Sequence, residues 1–179
     1  MKSKIFSLLL LVLISSSVYT QNGNTIHFDG TNDYIRADDV CNTLSSSSSI
    51  TFEGWVKPSV GSGGYFLSFN TSTGGNVFLV GITADGELMY YNGTWYYGST
   101  LISDQWYHVA VTIAENDETK VYLDGELDIT TTTEIWMSAG DRFSIGQEWD
   151  GGSLSDFYTG EIDEVRIWSE ALTHTQIQD

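Results

Sequence analysis

Hydrophobic residues in this chain recur at every second position, and that period limits what it can fold into. In Ile50-Thr-Phe-Glu-Gly-Trp-Val-Lys57, Ile50, Phe52 and Val56 share one parity. Tyr107, Val109, Val111 and Ile113 alternate against Trp106, His108, Ala110 and Thr112. Val165 and Ile167 alternate against Glu164, Arg166 and Trp168. Successive side chains of a strand point to opposite faces, so each run buries one face only. That is the behaviour of antiparallel sheets stacked as a sandwich. Asp85-Gly86 separates residues 77–82 from 87–91, and Asp124-Gly125 separates 120–123 from 126–129. Asp-Gly suits a two-residue hairpin turn, in which both central residues need positive φ. Only the C-terminal end reads as helical, where Thr173-His-Thr-Gln176 fits a capping box. About ten short strands between Gly-, Asn-, Asp- and Ser-rich loops predict an all-β, two-sheet antiparallel sandwich of jelly-roll type with a short C-terminal helix.

Lys2 and Lys4 precede an apolar run over 5–14 and a small, polar stretch over 15–17. This order predicts a secretory signal peptide over 1–20, cut near Thr20 and Gln21, and a single domain over 21–179. The apolar run is short for a membrane span, so no membrane insertion is expected once the leader is gone. A secreted or cell-surface location follows. The formal net charge is −17, which repels a phosphate backbone and rules against nucleic-acid binding. One cysteine, Cys41, excludes an internal disulfide framework. It reads as a loop residue without a neighbouring base. His108 reads as a hydrogen-bonded structural histidine, and no nucleophile–base set is evident.

Three groups of residues carry binding chemistry. The Gly/Asp-rich stretch after Ile145 contains Glu148, Asp150 and Asp156. Calcium takes six to eight hard oxygen ligands, which such a loop can fold inward. Asp29, Asn32 and Asp33 cluster in a tight turn, and Asp163, by alternation with Val165 and Ile167, is expected to face inward. An inward carboxylate needs a partner. A calcium ion between the first turn and the last strand would serve, and so would Arg36 or backbone amides. Finally, Trp55, Trp95, Tyr96, Tyr97 and Trp149 are candidates for stacking on sugar faces, although most tryptophans in a small sandwich are buried.

Five strings now stand in a recognisable order: Ile26-His-Phe-Asp-Gly-Thr-Asn-Asp-Tyr34, Ile50-Thr-Phe-Glu-Gly-Trp-Val-Lys-Pro58, Trp106-Tyr-His-Val-Ala-Val-Thr112, Val121-Tyr-Leu-Asp-Gly125 and Gly160-Glu-Ile-Asp-Glu-Val-Arg-Ile-Trp168. Together they resemble the laminin-G-like and pentraxin-like branch of the concanavalin A-like lectin/glucanase domains, over essentially all of 24–179. The resemblance implies a fold that hosts lectins, adhesion modules and hydrolases. Ile145-Gly-Gln-Glu-Trp-Asp-Gly151 is similar to the pentraxin calcium loop. The resemblance implies carboxylate ligands from Glu148 and Asp150 and a backbone carbonyl from Trp149. It puts Asp156 where pentraxins place a Gln, and Asn76 at one member of an Asp-Asn pair whose other position is Gly75 here. It also implies an open calcium position for vicinal hydroxyls, a carboxylate or a phosphate. Glu161-Ile-Asp163 resembles the start of the laminarinase signature, but Arg166 stands where the general acid belongs and Val165 where the shorter variant needs it. Retaining glycosidases require two carboxylates across the scissile bond, and arginine does not release its proton near neutral pH. The expected function is therefore a secreted, non-catalytic binding module for carbohydrate or glycoconjugate, assisted by calcium. The alternatives are an adhesion module that binds a cell-surface protein and, third, a glycoside hydrolase.

Overall fold

The computed structural model describes residues 25–133 and 137–178. The expected leader over 1–20 lies outside the described residues. The chain runs β1 (Ile26–Asp29), β2 (Ile35–Arg36), α1 (Asp39–Leu44), β3 (Ile50–Pro58), β4 (Gly64–Asn70), β5 (Asn76–Ile82), β6 (Glu87–Tyr91), β7 (Trp95–Thr100), β8 (Tyr107–Ile113), β9 (Glu118–Leu123), β10 (Glu126–Thr132), β11 (Arg142–Ile145), β12 (Glu148–Asp150), β13 (Ser153–Ser155), β14 (Thr159–Trp168) and α2 (His174–Gln178). One sheet has the order β1-β14-β3-β8-β9-β10 and the other β2-β11-β4-β5-β6-β7, while β12 and β13 form a separate hairpin. The pairings are antiparallel, as alternation predicts.

The two inner faces meet over aromatic rings. Phe69 is the hub: its ring centroid lies 4.8 Å from Phe52, 4.7 Å from Phe78 and 4.6 Å from Phe143. All four are buried and join Ile50, Val80, Val111 and Val121 in one core. Each such side chain stabilises the fold by roughly 1.5–3 kcal/mol through burial.

The two Asp-Gly hairpins differ. Asp124 and Gly125 both have positive φ, 50° and 77°, and form the two-residue turn between β9 and β10. The other connection spans Thr83 to Gly86, and Gly86, at φ 88°, is its left-handed residue. Strands that end at Ile82 and resume at Glu87 leave four residues to connect, so the expected two-residue turn is replaced by a four-residue loop ending in a left-handed glycine. The capping box at α2 forms: Gln176 N–H donates to Thr173 Oγ1, and Thr173 N–H donates to Gln176 Oε1 at 2.9 Å.

Two expectations need correction. Cys41 is not in a loop but in α1, which buries Val40, Cys41 and Leu44 against the core. Apolar residues at i, i+1 and i+4 give one helical stripe, but six residues without a side-chain cap leave little sequence signal. Burial pushes the Cys41 thiol up to about 12, so it is inert. Asp163 does not face inward either. A bulge interrupts the β14–β3 register between Asp163 and Arg166, with Glu164 at φ 49°. One extra residue resets the parity of everything after it. Ile162 and Val165 thus both reach the core side, and Asp163 lies opposite the exposed Trp55 on the outer face.

Gly81 shows how closely the second sheet is built. A Cβ there would overlap the Gly64 carbonyl oxygen and crowd Tyr65 Cα, both backbone atoms. Gly81→Ala is expected to destabilise the domain by about 1–3 kcal/mol, read as a lower denaturant midpoint at unchanged slope.

Candidate functional site

The β12–β13 hairpin builds an acidic site on the outer face of the second sheet. Its loop is Gly151-Gly152, both at positive φ. The two-residue turn sets Glu148 opposite Ser155, whose hydroxyl donates to Glu148 Oε1 at 3.1 Å. Alternation along β12 puts Glu148 and Asp150 on one side and Trp149 on the other. Asp156 follows β13 in the left-handed region, φ 47°. Carboxylate oxygens of Glu148, Asp150 and Asp156 all lie within 4.8 Å of one another, and no other such trio of Asp, Glu, His or Cys forms among the described residues.

This convergence is electrostatically costly. Glu148 is 3% exposed and its Oε2 has no hydrogen-bond partner. Burial first, then the nearby Asp150 and Asp156, pushes the Glu148 carboxyl up to about 7. The donors are hard oxygens only, the chemistry of calcium rather than of softer metals. An orphaned buried carboxylate oxygen among two more carboxylates fits a divalent cation. Asn70 links the hairpin to the start of β5: its Nδ2 donates to Asn76 Oδ1 at 2.7 Å and reaches the Trp149 carbonyl at 3.4 Å. Asn70 Oδ1 is itself buried without a partner. Asn70 escaped the sequence reading because, at the last position of β4, nothing in the sequence distinguishes an asparagine that anchors the loop from one that merely begins it.

Beside the acids lies a row of rings on the same outer face. Tyr65 on β4 stacks with Trp95 on β7 at 6.4 Å, and Trp95 stacks with Tyr97 at 6.5 Å. Tyr91 packs on Trp95 at 4.6 Å. Trp95 and Tyr97 are 42% and 55% exposed. Tyr65 joins the two halves of the site. Its amide donates to the Asp156 carbonyl, and burial with the charges of Glu148, Asp156 and Asp150 raises its hydroxyl pKa. Tyr65 and Tyr91 were not singled out from the sequence; the parity they share with Trp95 and Tyr97 becomes visible only once strands are paired.

The remaining candidates lie elsewhere. Tyr96 pairs with Tyr90 and packs against the core, as alternation requires between Trp95 and Tyr97. The Trp149 ring is buried, not presented to ligand. Its Nε1 donates to Ser144 Oγ at 2.8 Å, and the guanidiniums of Arg142 and Arg36 lie 4.3 and 5.2 Å from the ring. Trp55 is on the other sheet altogether. Asp29, Asn32 and Asp33 do not meet Asp163. Asp29 pairs with Thr159, and Asp163 stands four residues further along β14, about 13 Å away at strand rise. Asp29 instead closes its own turn, accepting the Thr31 amide, while Asp33 accepts the Asp29 amide. Glu161 is engaged by Lys57 at 2.9 Å and Thr25 at 2.6 Å. Those bonds hold its carboxyl below the usual carboxylate range.

A family model described as the concanavalin A-like lectin/glucanases superfamily matches residues 29–178. No curated protein sequence matches the chain. Among solved structures, the native heptameric SAP-like pentraxin from Limulus polyphemus superposes with a TM-score of 0.68 and 26% identity, over 86% of this chain and 79% of that one. Domain 4 of AbnA, an extracellular arabinanase from Geobacillus stearothermophilus, in complex with arabinotriose, gives 0.64 and 24% over 89% and 77%. The CBM40 module of the Ruminococcus gnavus IT-sialidase bound to α2,3-sialyllactose gives 0.70 and 19% over 86% and 94%. The last two likenesses establish the fold alone.

Proposed function

We propose that this chain, which belongs to the concanavalin A-like lectin/glucanase superfamily, is an extracellular module that binds carbohydrate without cleaving it, on the outer face of the second sheet. The observation that carries this reading is the contact between an acidic trio and an aromatic row through Tyr65. Trp95 and Tyr97 offer flat apolar faces for sugar rings, and the adjacent carboxylates and backbone groups offer partners for hydroxyls. Structural relatives in complex with arabinotriose and sialyllactose agree with that ligand class. Among the described residues no helix is long and apolar enough to cross a membrane.

Calcium is the second part of the reading. Glu148, Asp150 and Asp156 would hold it through carboxylates, with the Trp149 carbonyl and Asn76 completing the oxygen set. When bound, the ion neutralises the trio and supplies a Lewis-acidic position for sugar hydroxyls or a carboxylate. The chain's own residues do the rest: Ser155 orients Glu148, Asn70 fixes the Asn76 loop against the hairpin, and Tyr65 spans from the acids to Trp95. Absence of catalysis is supported by the neighbourhood of Glu161, which is neutralised by Lys57, and by Arg166 in place of a proton donor.

Affinity electrophoresis of the native protein through gels containing arabinan, galactan, pectin or sialylated glycoprotein tests the reading. Retardation by at least one polymer in calcium, reduced by chelator, is the expected result. Unretarded migration in every gel, or cleavage of a polymer, overturns it.

A further inference from the structure

The outer face of the first sheet carries a groove that the acidic and aromatic face does not share. It encloses about 660 Å³, inside the ~300–1,000 Å³ span of small-ligand sites. Alternation puts Glu53 and Trp55 of β3 and His108 of β8 there, the bulge delivers Arg166, and the Asp124-Gly125 turn adds Asp124. The segment around α2 packs on Ala110 and Tyr122 and forms one wall.

Trp55 is 39% exposed, with its ring 5.4 Å from the His108 ring and tilted by 52°. Around this indole the polar groups are already fixed to one another. Glu53 is only 7% exposed and has Trp168 Nε1 at 3.2 Å, Arg166 Nη1 at 3.6 Å and His108 Nε2 at 3.7 Å. Arg166 Nη2 binds Glu164, and Asp124 Oδ1 accepts the His108 amide. A sugar ring laid on Trp55 would therefore meet pre-oriented donors and acceptors, with little ordering cost left to pay on the protein side. The charge balance selects among sugars. Glu53, Asp124 and Glu164 line the groove with a single guanidinium, that of Arg166, so an anionic ring is repelled and a neutral or amine-bearing one is not.

We propose that this groove is a second saccharide site, specific for neutral or amine-bearing sugar rings and independent of any metal. It is separate from the acidic and aromatic face and does not rest on that reading. Stacked sheets lie ~10 Å apart, so one molecule occupied on both outer faces would tie two glycan chains together.

The test is an NMR titration of the tryptophan indole resonances of the native protein in EDTA with cellotriose, xylotriose, mannotriose, chitosan trimer and trigalacturonate. At least one of the first four is expected to shift the Trp55 indole saturably, with the same Kd in calcium, while trigalacturonate leaves it unmoved. Trp55→Ala should weaken that ligand by about tenfold, the loss of one stacking face. No response of the Trp55 indole to any neutral or amine-bearing trimer overturns the proposal. So does a response that disappears in EDTA, or one that trigalacturonate matches. The titration on unmodified protein decides the matter even if the variant fails to fold.

Discussion

Calcium added to chelator-treated protein is expected to raise its melting temperature by about 5–10 °C at a concentration a hundredfold above Kd. Binding to the folded state alone contributes about 2.7 kcal/mol at that excess, and a domain of this length gains about 2–4 °C per kcal/mol. Glu148→Gln should abolish the response, because Glu148 is the buried member of the trio and brings the oxygen without a partner. The same variant carries an opposite signature in chelator. The Glu148 carboxyl is held at about 7 in the folded chain, against about 4.3 in an unfolded one, so between these values the folded state binds more protons. Stability of the metal-free protein therefore falls as pH rises through that window, and the contribution is gone above it. Glu148→Gln removes the slope and melts higher than the native chain in EDTA near pH 7.5. Calcium competes with the same proton, so its stabilisation should be larger at pH 8 than at pH 5.5. Differential scanning calorimetry at several pH values, with calcium and with EDTA, measures all of this. A calcium response that survives in Glu148→Gln would show the ion bound elsewhere.

Trp95→Ala is expected to weaken glycan binding by about 30-fold. An indole face covering about 80 Å² of sugar contributes about 2 kcal/mol at about 25 cal/mol per Å², which corresponds to that ratio. Trp95 is the centre of the exposed rings, in contact with Tyr65, Tyr91 and Tyr97. Because it projects from β7 at the edge of its sheet, truncation should leave the fold intact. Tyr96→Phe, one position along and packed on the core, should leave affinity unchanged. Isothermal titration with an oligosaccharide of the retarding polymer gives both numbers. Equal affinities for native and Trp95→Ala protein would remove the aromatic row from the binding surface.

Much of the architecture was legible because the period of two survives in β3, β8 and most of β14, and because the Asp124-Gly125 turn forms as its chemistry requires. What was lost came from events that leave no periodic trace. The bulge at Glu164 misassigned Asp163, and with it the idea of a cation between the first turn and the last strand. Six residues of α1 were too few to announce a helix. At the acidic hairpin, carboxylate types and spacing indicated which side chains converge. They did not indicate that the Trp149 ring turns down between Arg36 and Arg142, since a tryptophan flanked by acids reads the same whether presented or buried. Tyr65, which joins the two halves of the site, is brought there by strand pairing across β5.

The inserted residue in β14 does more than shift a register. If the same residues ran past Asp163 as a regular strand, Arg166 would point between the sheets and Val165 into water, so the strand would lose apolar lining and the groove its one guanidinium. A single left-handed backbone position thus lets one strand serve two masters, supplying oil to the interior on both sides of the kink while keeping a polar row on the exterior throughout its length. Homologous segments compared by spacing alone, across a member lacking that kink, would have inside and outside exchanged for every residue downstream.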